Sequence, residues 1–238
     1  KYEKVILWFE HDLYDQLQIL QILDWFHSNQ PNDVEFSIIC TEKYLGMLSP
    51  DEMKNLLKYE EVITEKHLNL SSKAWASFRS CTPEKWYGLL NSDTSALPFL
   101  ENAIVRMLEE YPDCSNGLSR TERQALKIIS EGGKHPGEIF RRSQESEDQM
   151  FLGDSSFWVI LQEFLECNPP LIKLSNGKKL TLPADPDHEL TITPLGREVL
   201  AGIRKWSEIV GIDRWIGGVH LKPGNTWCWD SGSRTLSK

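Results

Sequence analysis

The chain has 238 residues, 40% hydrophobic and 26% charged, the make-up of an ordinary globular protein with room for two domains. Its apolar runs are far shorter than the roughly 18 residues of a membrane span, and no basic segment followed by an apolar stretch opens it, so neither a membrane segment nor a secretory signal is expected. The net charge of −9 comes wholly from residues 1–115, with 10 basic and 19 acidic side chains, whereas residues 116–238 carry 16 of each; the acidic half is a poor surface for non-specific nucleic-acid binding.

Lys4 to Glu10 (KVILWFE) reads as a buried strand. Leu13, Leu17, Leu20, Ile22, Leu23 and Phe26 follow at helical spacing, which predicts a helix over Leu13–His27. Val34 to Cys40 predicts a second strand, so a βαβ unit with a parallel sheet opens the chain. Two strands do not make a stable sheet, and a third is expected from upstream, from a partner or from the C-terminal segment. Helices follow: Ser49-Pro50-Asp51-Glu52 opens one, Thr64 caps another, Thr82-Pro83-Glu84 opens a short one, and Ser95–Tyr111 carries an apolar stripe. The polar stretch Pro112–Gly117 marks the expected boundary between residues 1–115 and 116–238.

In the second half, Ser119 and Glu122 form a capping box for a helix ended by Gly132-Gly133. Pro136–Gln144 is a second helix, and Asp154 caps a third containing Phe157, Trp158, Leu161 and Leu165. Leu171–Leu174 and Glu189–Thr193 are expected strands with a turn signal at Asn176-Gly177, followed by a helix over Pro194–Trp206. The expected fold is thus an α/β N-terminal part with a small parallel sheet, incomplete at its start, then helices and a winged-helix-like α+β C-terminal domain. The five cysteines, Cys40, Cys81, Cys114, Cys167 and Cys228, are odd in number and widely spaced, without a C-x-x-C pair. That pattern points away from a zinc site or a disulfide framework and toward a reducing cytoplasm.

Six segments share a further property: WFEHDLYDQLQ (8–18), DTSALPFL (93–100), NGLSRTERQ (116–124), GDSSFW (153–158), TPLGR (193–197) and GIDRWIGGVHL (211–221). Together they resemble an uncharacterised bacterial family catalogued as a domain of unknown function, over nearly the whole chain. The resemblance implies a two-part architecture with a winged-helix-like C-terminal region, and a cytoplasmic bacterial protein. It implies no chemistry, because the family carries no assigned activity. Its members begin with an extra segment holding a Gly-Asp pair, not found before Lys1, which adds to the expectation of a missing strand.

Three groups of residues are candidates for function. Glu10, His11, Asp12 and Asp15 follow the first strand, and ligands of open α/β sheets bind beyond the carboxyl ends of strands. Carboxylates flanking an imidazole suit a divalent metal or acid–base work, as in metal-dependent phosphohydrolases; the bland alternative is that Asp12 caps the helix. Those hydrolases need further ligands on helices, so no metal is assigned. The third helix of the second half carries Asp154, Glu163 and Glu166 and no Lys or Arg, which disfavours DNA reading. A basic patch of Arg141, Arg142, Lys173, Lys178 and Lys179 is the contrary signal, balanced by as many acids. In the tail, Trp206, Trp215, Trp227 and Trp229 lie beside Gly217-Gly218, His220 and Asp230, which suits an aromatic strap, an imidazole oriented by Asp230, or both. If the strap closes over the end of the first strand, Trp215, His220 and Trp229 face the acidic cluster. Cys40 could be reached from that cleft, but an inert buried thiol is the simpler reading.

No P-loop, complete GxGxxG, GxSxG or HExxH pattern occurs. The leading expectation is therefore a cytoplasmic, non-membrane binding or regulatory module for a small molecule or a protein, with no cofactor specified. A small-molecule or nucleotide hydrolase or transferase using Glu10, His11 and Asp12 is the enzymatic alternative. A DNA-binding regulator acting through the winged helix is the third.

Overall fold

The computed structural model describes residues 2–29, 33–175 and 179–238, and the chain is mixed α/β. It divides into two compact units, one of residues 1–107 with 217–219 and the other of residues 108–216 with 220–238. Pro112–Gly117, the expected boundary, lies inside the second unit.

In the first unit, β1 (Lys4–Glu10), α1 (Leu13–Asn29) and β2 (Glu35–Thr41) form the expected βαβ, with β1 and β2 parallel from Lys4↔Glu35 to Glu10↔Thr41. After α2 (Pro50–Leu56), the two-residue β3 (Glu61–Val62) pairs antiparallel to β2, giving the order β1-β2-β3. The sheet is therefore mixed, not purely parallel. Its third strand comes from the middle of the unit, because two extended residues between helices suffice to reach the open edge of β2. Among the described residues β1 pairs on one side only, and correspondingly Val5, Ile6, Leu7 and Trp8 are half-buried; Phe9 alone in the strand is buried. The central β2 buries Phe36, Ser37, Ile38 and Ile39. Leu13, Gln16, Ile19, Leu20 and Leu23 form the inner face of α1, which packs on α3 (Glu65–Phe78). The expected cap at Thr64 holds the start of α3, its N–H donating to His67 Nδ1 at 3.1 Å. The helices α4 (Glu84–Gly88) and α5 (Leu100–Leu108) follow. The latter is shorter than the expected Ser95–Tyr111 because Pro98 interrupts the N-terminal part of that stripe.

The second unit holds α6 (Arg120–Ser130), α7 (Pro136–Glu145) and α8 (Asp154–Glu166), followed by β4 (Ile172–Leu174) and β5 (Leu190–Ile192) in an antiparallel ladder. The Ser119–Glu122 capping box forms as expected, whereas the cap of α8 is Gly153 and Asp154 is its first helical residue. Phe157, Trp158, Leu161 and Phe164 of α8 meet Leu126, Ile129, Ile139 and Trp206 in a core of their own, with Leu165 half-buried beside it. The turn signal at Asn176-Gly177, and Lys178 of the basic patch, lie outside the described residues.

The expected helix over Pro194–Trp206 is two helices, α9 (Pro194–Leu200) and α10 (Trp206–Val210). Gly202, at φ +72°, ends the first, because the left-handed backbone it adopts terminates a helix readily. Short strands complete the chain, with β6 (Arg214–Ile216) paired to β7 (Val219–Leu221) and β8 (Cys228–Asp230) to β9 (Thr235–Ser237). A disulfide joins Cys114 to Cys228, correcting the expectation of cysteines without a disulfide. The two positions are 114 apart in sequence and only 5.1 Å apart between Cα atoms, a proximity no spacing rule reveals. Cys40, Cys81 and Cys167 are free thiols. Among the described residues no helix is long and apolar enough to cross a membrane.

Candidate functional site

The carboxyl end of β1 in the first unit gathers four of the expected residues. Asp12 is buried and its Oδ1 accepts from Tyr14 N–H at 2.8 Å and Asp15 N–H at 3.2 Å, so it caps α1. Asp15 Oδ2 accepts from Glu10 N–H at 2.5 Å, and Glu10 Oε1 accepts from Leu45 N–H at 2.7 Å. Burial raises the Asp12 carboxyl above its ordinary 3.8, with Asp15 and Glu10 adding repulsion and the two backbone N–H groups opposing. Glu10, Asp12 and Asp15 each offer an oxygen within 4.8 Å of the others, so these are the residues that could hold a divalent cation. His11 is not part of that group. Its ring, 7% exposed, lies 5.0 Å from Tyr44 and 5.9 Å from Phe99, and its Nδ1 has no hydrogen-bond partner.

Beside this cluster the sequence reading missed Gln16. It is 1% exposed and donates through Nε2 to Glu10 O at 2.9 Å and to Cys40 Sγ at 3.3 Å, tying the ends of β1 and β2 together. A signal existed, since Gln16 stands three residues after Leu13 and four before Leu20, a polar side chain on the apolar face. Burial pushes the Cys40 thiol up to about 11, which makes it a poor nucleophile.

A cleft of about 500 Å³ opens at the same end of β2, walled by Cys40, Thr41, Glu42 and Lys43 from the strand end and by Asn55, Tyr59 and Phe99. Phe99 is thus shared between this cleft and the His11 ring. Lys43 and Lys58 supply positive charge and Glu42 and Glu52 negative charge along the lining. Glu52 is engaged by the Ser49 capping box, accepting from Ser49 N–H at 2.9 Å.

The tail residues sort differently. Trp206, Trp227 and Trp229 are buried, and Trp215 is 66% exposed. Its ring stacks on His220 at 4.4 Å and 9°. His220 Nε2 meets Asp213 Oδ1 at 2.6 Å, so its partner is Asp213 and not Asp230. Asp230 instead accepts from Gly232 N–H and Ser233 N–H, at 2.8 and 2.9 Å, and shapes the turn between β8 and β9. The Gly217-Gly218 pair permits close packing within the first unit: a Cβ on Gly218 would stand 2.2 Å from Arg79 O, and Gly217 adopts φ +56°. Arg214, next to Trp215 in β6, reaches buried Glu122 at 2.7 Å, the alternation of a strand sending the two side chains opposite ways.

The two arginines of the expected basic patch are paired with glutamates. Arg141 pairs with Glu145 at 2.5 Å, and Arg142 with Glu131 and Glu138 at 3.1 and 3.5 Å. Comparison with protein-family models, with curated proteins and with solved structures finds no match to the chain.

Proposed function

We propose that the first unit is a binding module for a small polar molecule, seated in the cleft at the carboxyl ends of β1 and β2. The observation that carries this reading is the position of the roughly 500 Å³ cleft, where the parallel pair ends and both signs of charge line an aromatic wall. Glu10, Asp12, Asp15 and Gln16 are hydrogen-bonded around the end of β1, and Gln16 also bonds to Cys40 of the cleft lining. In this reading the protein is cytoplasmic and bacterial, as the family resemblance implies.

The second unit, in the same proposal, is a winged-helix-like module that serves packing or protein contact. Support comes from the order α6, α7, α8, β4, β5, and from the bond of Leu190 N–H to Lys134 O, which joins the segment before α7 to β5. Its third helix carries Asp154, Glu163 and Glu166 and no cation, and Arg141 and Arg142 of the preceding helix are paired with glutamates, so phosphate contacts are undersupplied.

Thermal shift against nucleotides, sugar phosphates and amino acids tests the reading, because a ligand at a hundred times its Kd stabilises by about 2.7 kcal/mol. A compound should raise the melting temperature of the wild type and fail to do so for Lys43→Glu or Tyr59→Ala. No shift with any compound, or a shift indifferent to both variants, overturns the cleft. Turnover of a shifting compound that His11→Ala abolishes replaces the binding module with the enzyme. Steeply salt-dependent duplex binding replaces the packing role of the second unit.

A further inference from the structure

The loop Pro112–Gly117 and the C-terminal hairpin of β8 and β9 are fastened to each other twice within the second unit. One fastening is non-covalent. Trp229 N–H donates to Pro112 O at 2.9 Å, Cys114 N–H donates to Trp229 O at 3.1 Å, and Ser231 Oγ donates to Asp113 Oδ2 at 3.1 Å. Trp229 itself is 1% exposed, so the hairpin is seated by a large apolar side chain as well as by its backbone. The other fastening is the Cys114–Cys228 bond.

The two differ in reach. Trp229 is sealed, whereas both cysteines are only half-buried and line a cleft of about 250 Å³ with Lys205, Glu208, Trp227 and Lys238. A thiol reagent therefore meets the disulfide at a surface opening, the situation in which such bonds exchange readily. Charged groups of both signs, Lys205, Lys238, Asp113 and Glu208, line the cleft together with the cysteine pair. The remaining thiols of the chain, Cys40, Cys81 and Cys167, are unpaired.

We propose that Cys114–Cys228 is a reversible redox latch on the C-terminal hairpin, opened by a dithiol reductant that enters this cleft. A thiolate of the reductant attacks one cysteine sulfur, the S–S bond breaks, and the other cysteine leaves as a thiolate. The second thiol of the reductant then displaces the first cysteine from the mixed disulfide. Two electrons pass to the cysteine pair, the reductant is left as its own disulfide, and its two protons end on Cys114 and Cys228. The backbone bonds beside the pair keep the thiols close, so reoxidation needs no search across a sequence separation of 114. Reduction thus converts a locked hairpin into one that opens locally while the rest of the unit stays folded.

The test compares oxidised and reduced full-length wild type. Unfolding in an alkylating agent should label the three free cysteines before treatment with dithiothreitol and all five after it. Amide exchange across Cys228–Ser237 should rise by about tenfold or more on reduction, with α6 and α8 unchanged, and return on reoxidation. Cys228→Ser should show the fast exchange without reductant. If that variant does not fold, the reduced wild type carries the test alone. Five labelled cysteines in protein purified without reductant, unchanged tail exchange after reduction, or loss of protection throughout α6 and α8 each overturn the latch.

Discussion

The turn into α1 in the first unit and the long-range links of the second unit tie polar groups together on different length scales. At the start of α1, Asp12 is bonded to Tyr14 and Asp15, Asp15 to Glu10, and Gln16 to Glu10, all within six positions. In the second unit Arg214 meets Glu122 across 92 positions, and Cys114 meets Cys228 across 114. Local partners make a cluster visible to a reader of the sequence but leave each group already occupied. Distant partners are invisible in the sequence, yet removing one of them strands the other where water cannot fully replace it.

That contrast is broken most forcefully at Glu122. Its side chain is buried, its Oε2 accepts from Ser119 N–H at 2.6 Å, and its Oε1 accepts from Arg214 at 2.7 Å. Glu122→Ala removes the capping box and leaves Arg214 without its main anion, so a loss of about 3 kcal/mol in urea-unfolding free energy is expected. A loss below about 1 kcal/mol would mean that solvent takes over the partner's role.

Asp12 tests the local side. Its carboxyl titrates above 3.8 in the folded chain, so folding favours its protonated form. The stabilisation this linkage gives is complete below 3.8 and is lost as pH rises through the folded value, which leaves Asp12 a strained anion at neutral pH. Asp12→Asn keeps the cap and removes the charge, and it should melt a few degrees above the wild type at pH 7, with the gap closing below pH 3.8. Asp12→Ala should fall about 1 kcal/mol below Asp12→Asn, since it alone loses the cap. Equal melting of wild type and Asp12→Asn at pH 7 would show that neither burial nor the neighbouring carboxylates penalise the Asp12 anion.

The smallest effect belongs to Arg141. Its pair with Glu145 is four residues apart on an exposed helix face, so Arg141→Ala should change stability by less than about 0.5 kcal/mol. A fall in duplex DNA affinity with this variant, on the other hand, would show that the pair opens to phosphate.

How much was legible follows from the same contrast. Val34 to Cys40 alternates and clusters β-branched and apolar residues, and β2 forms within one residue of it. Ser119 and Glu122 stand at the spacing of a capping box and make one. Asp12 was readable both as a cap and as a site residue, and its two backbone bonds show that the cap at least is real. The far wall of the cleft at Thr41 and Lys43 was not readable, because Asn55, Tyr59 and Phe99 join it from segments whose separation in sequence says nothing of their distance in space.

Local patterns in the chain were enough for the alternation of strand and helix in the first unit, the three successive helices of the second and the helix caps, because propensity, apolar period and capping act over a few residues. Tertiary structure alone decided that β3 completes the sheet from Glu61–Val62, that Asp213 rather than Asp230 holds His220, and that Cys228 closes on Cys114. Each of those depends on which segments the packed core brings side by side. That is set by the burial of the whole unit against chain entropy, a balance no local pattern encodes.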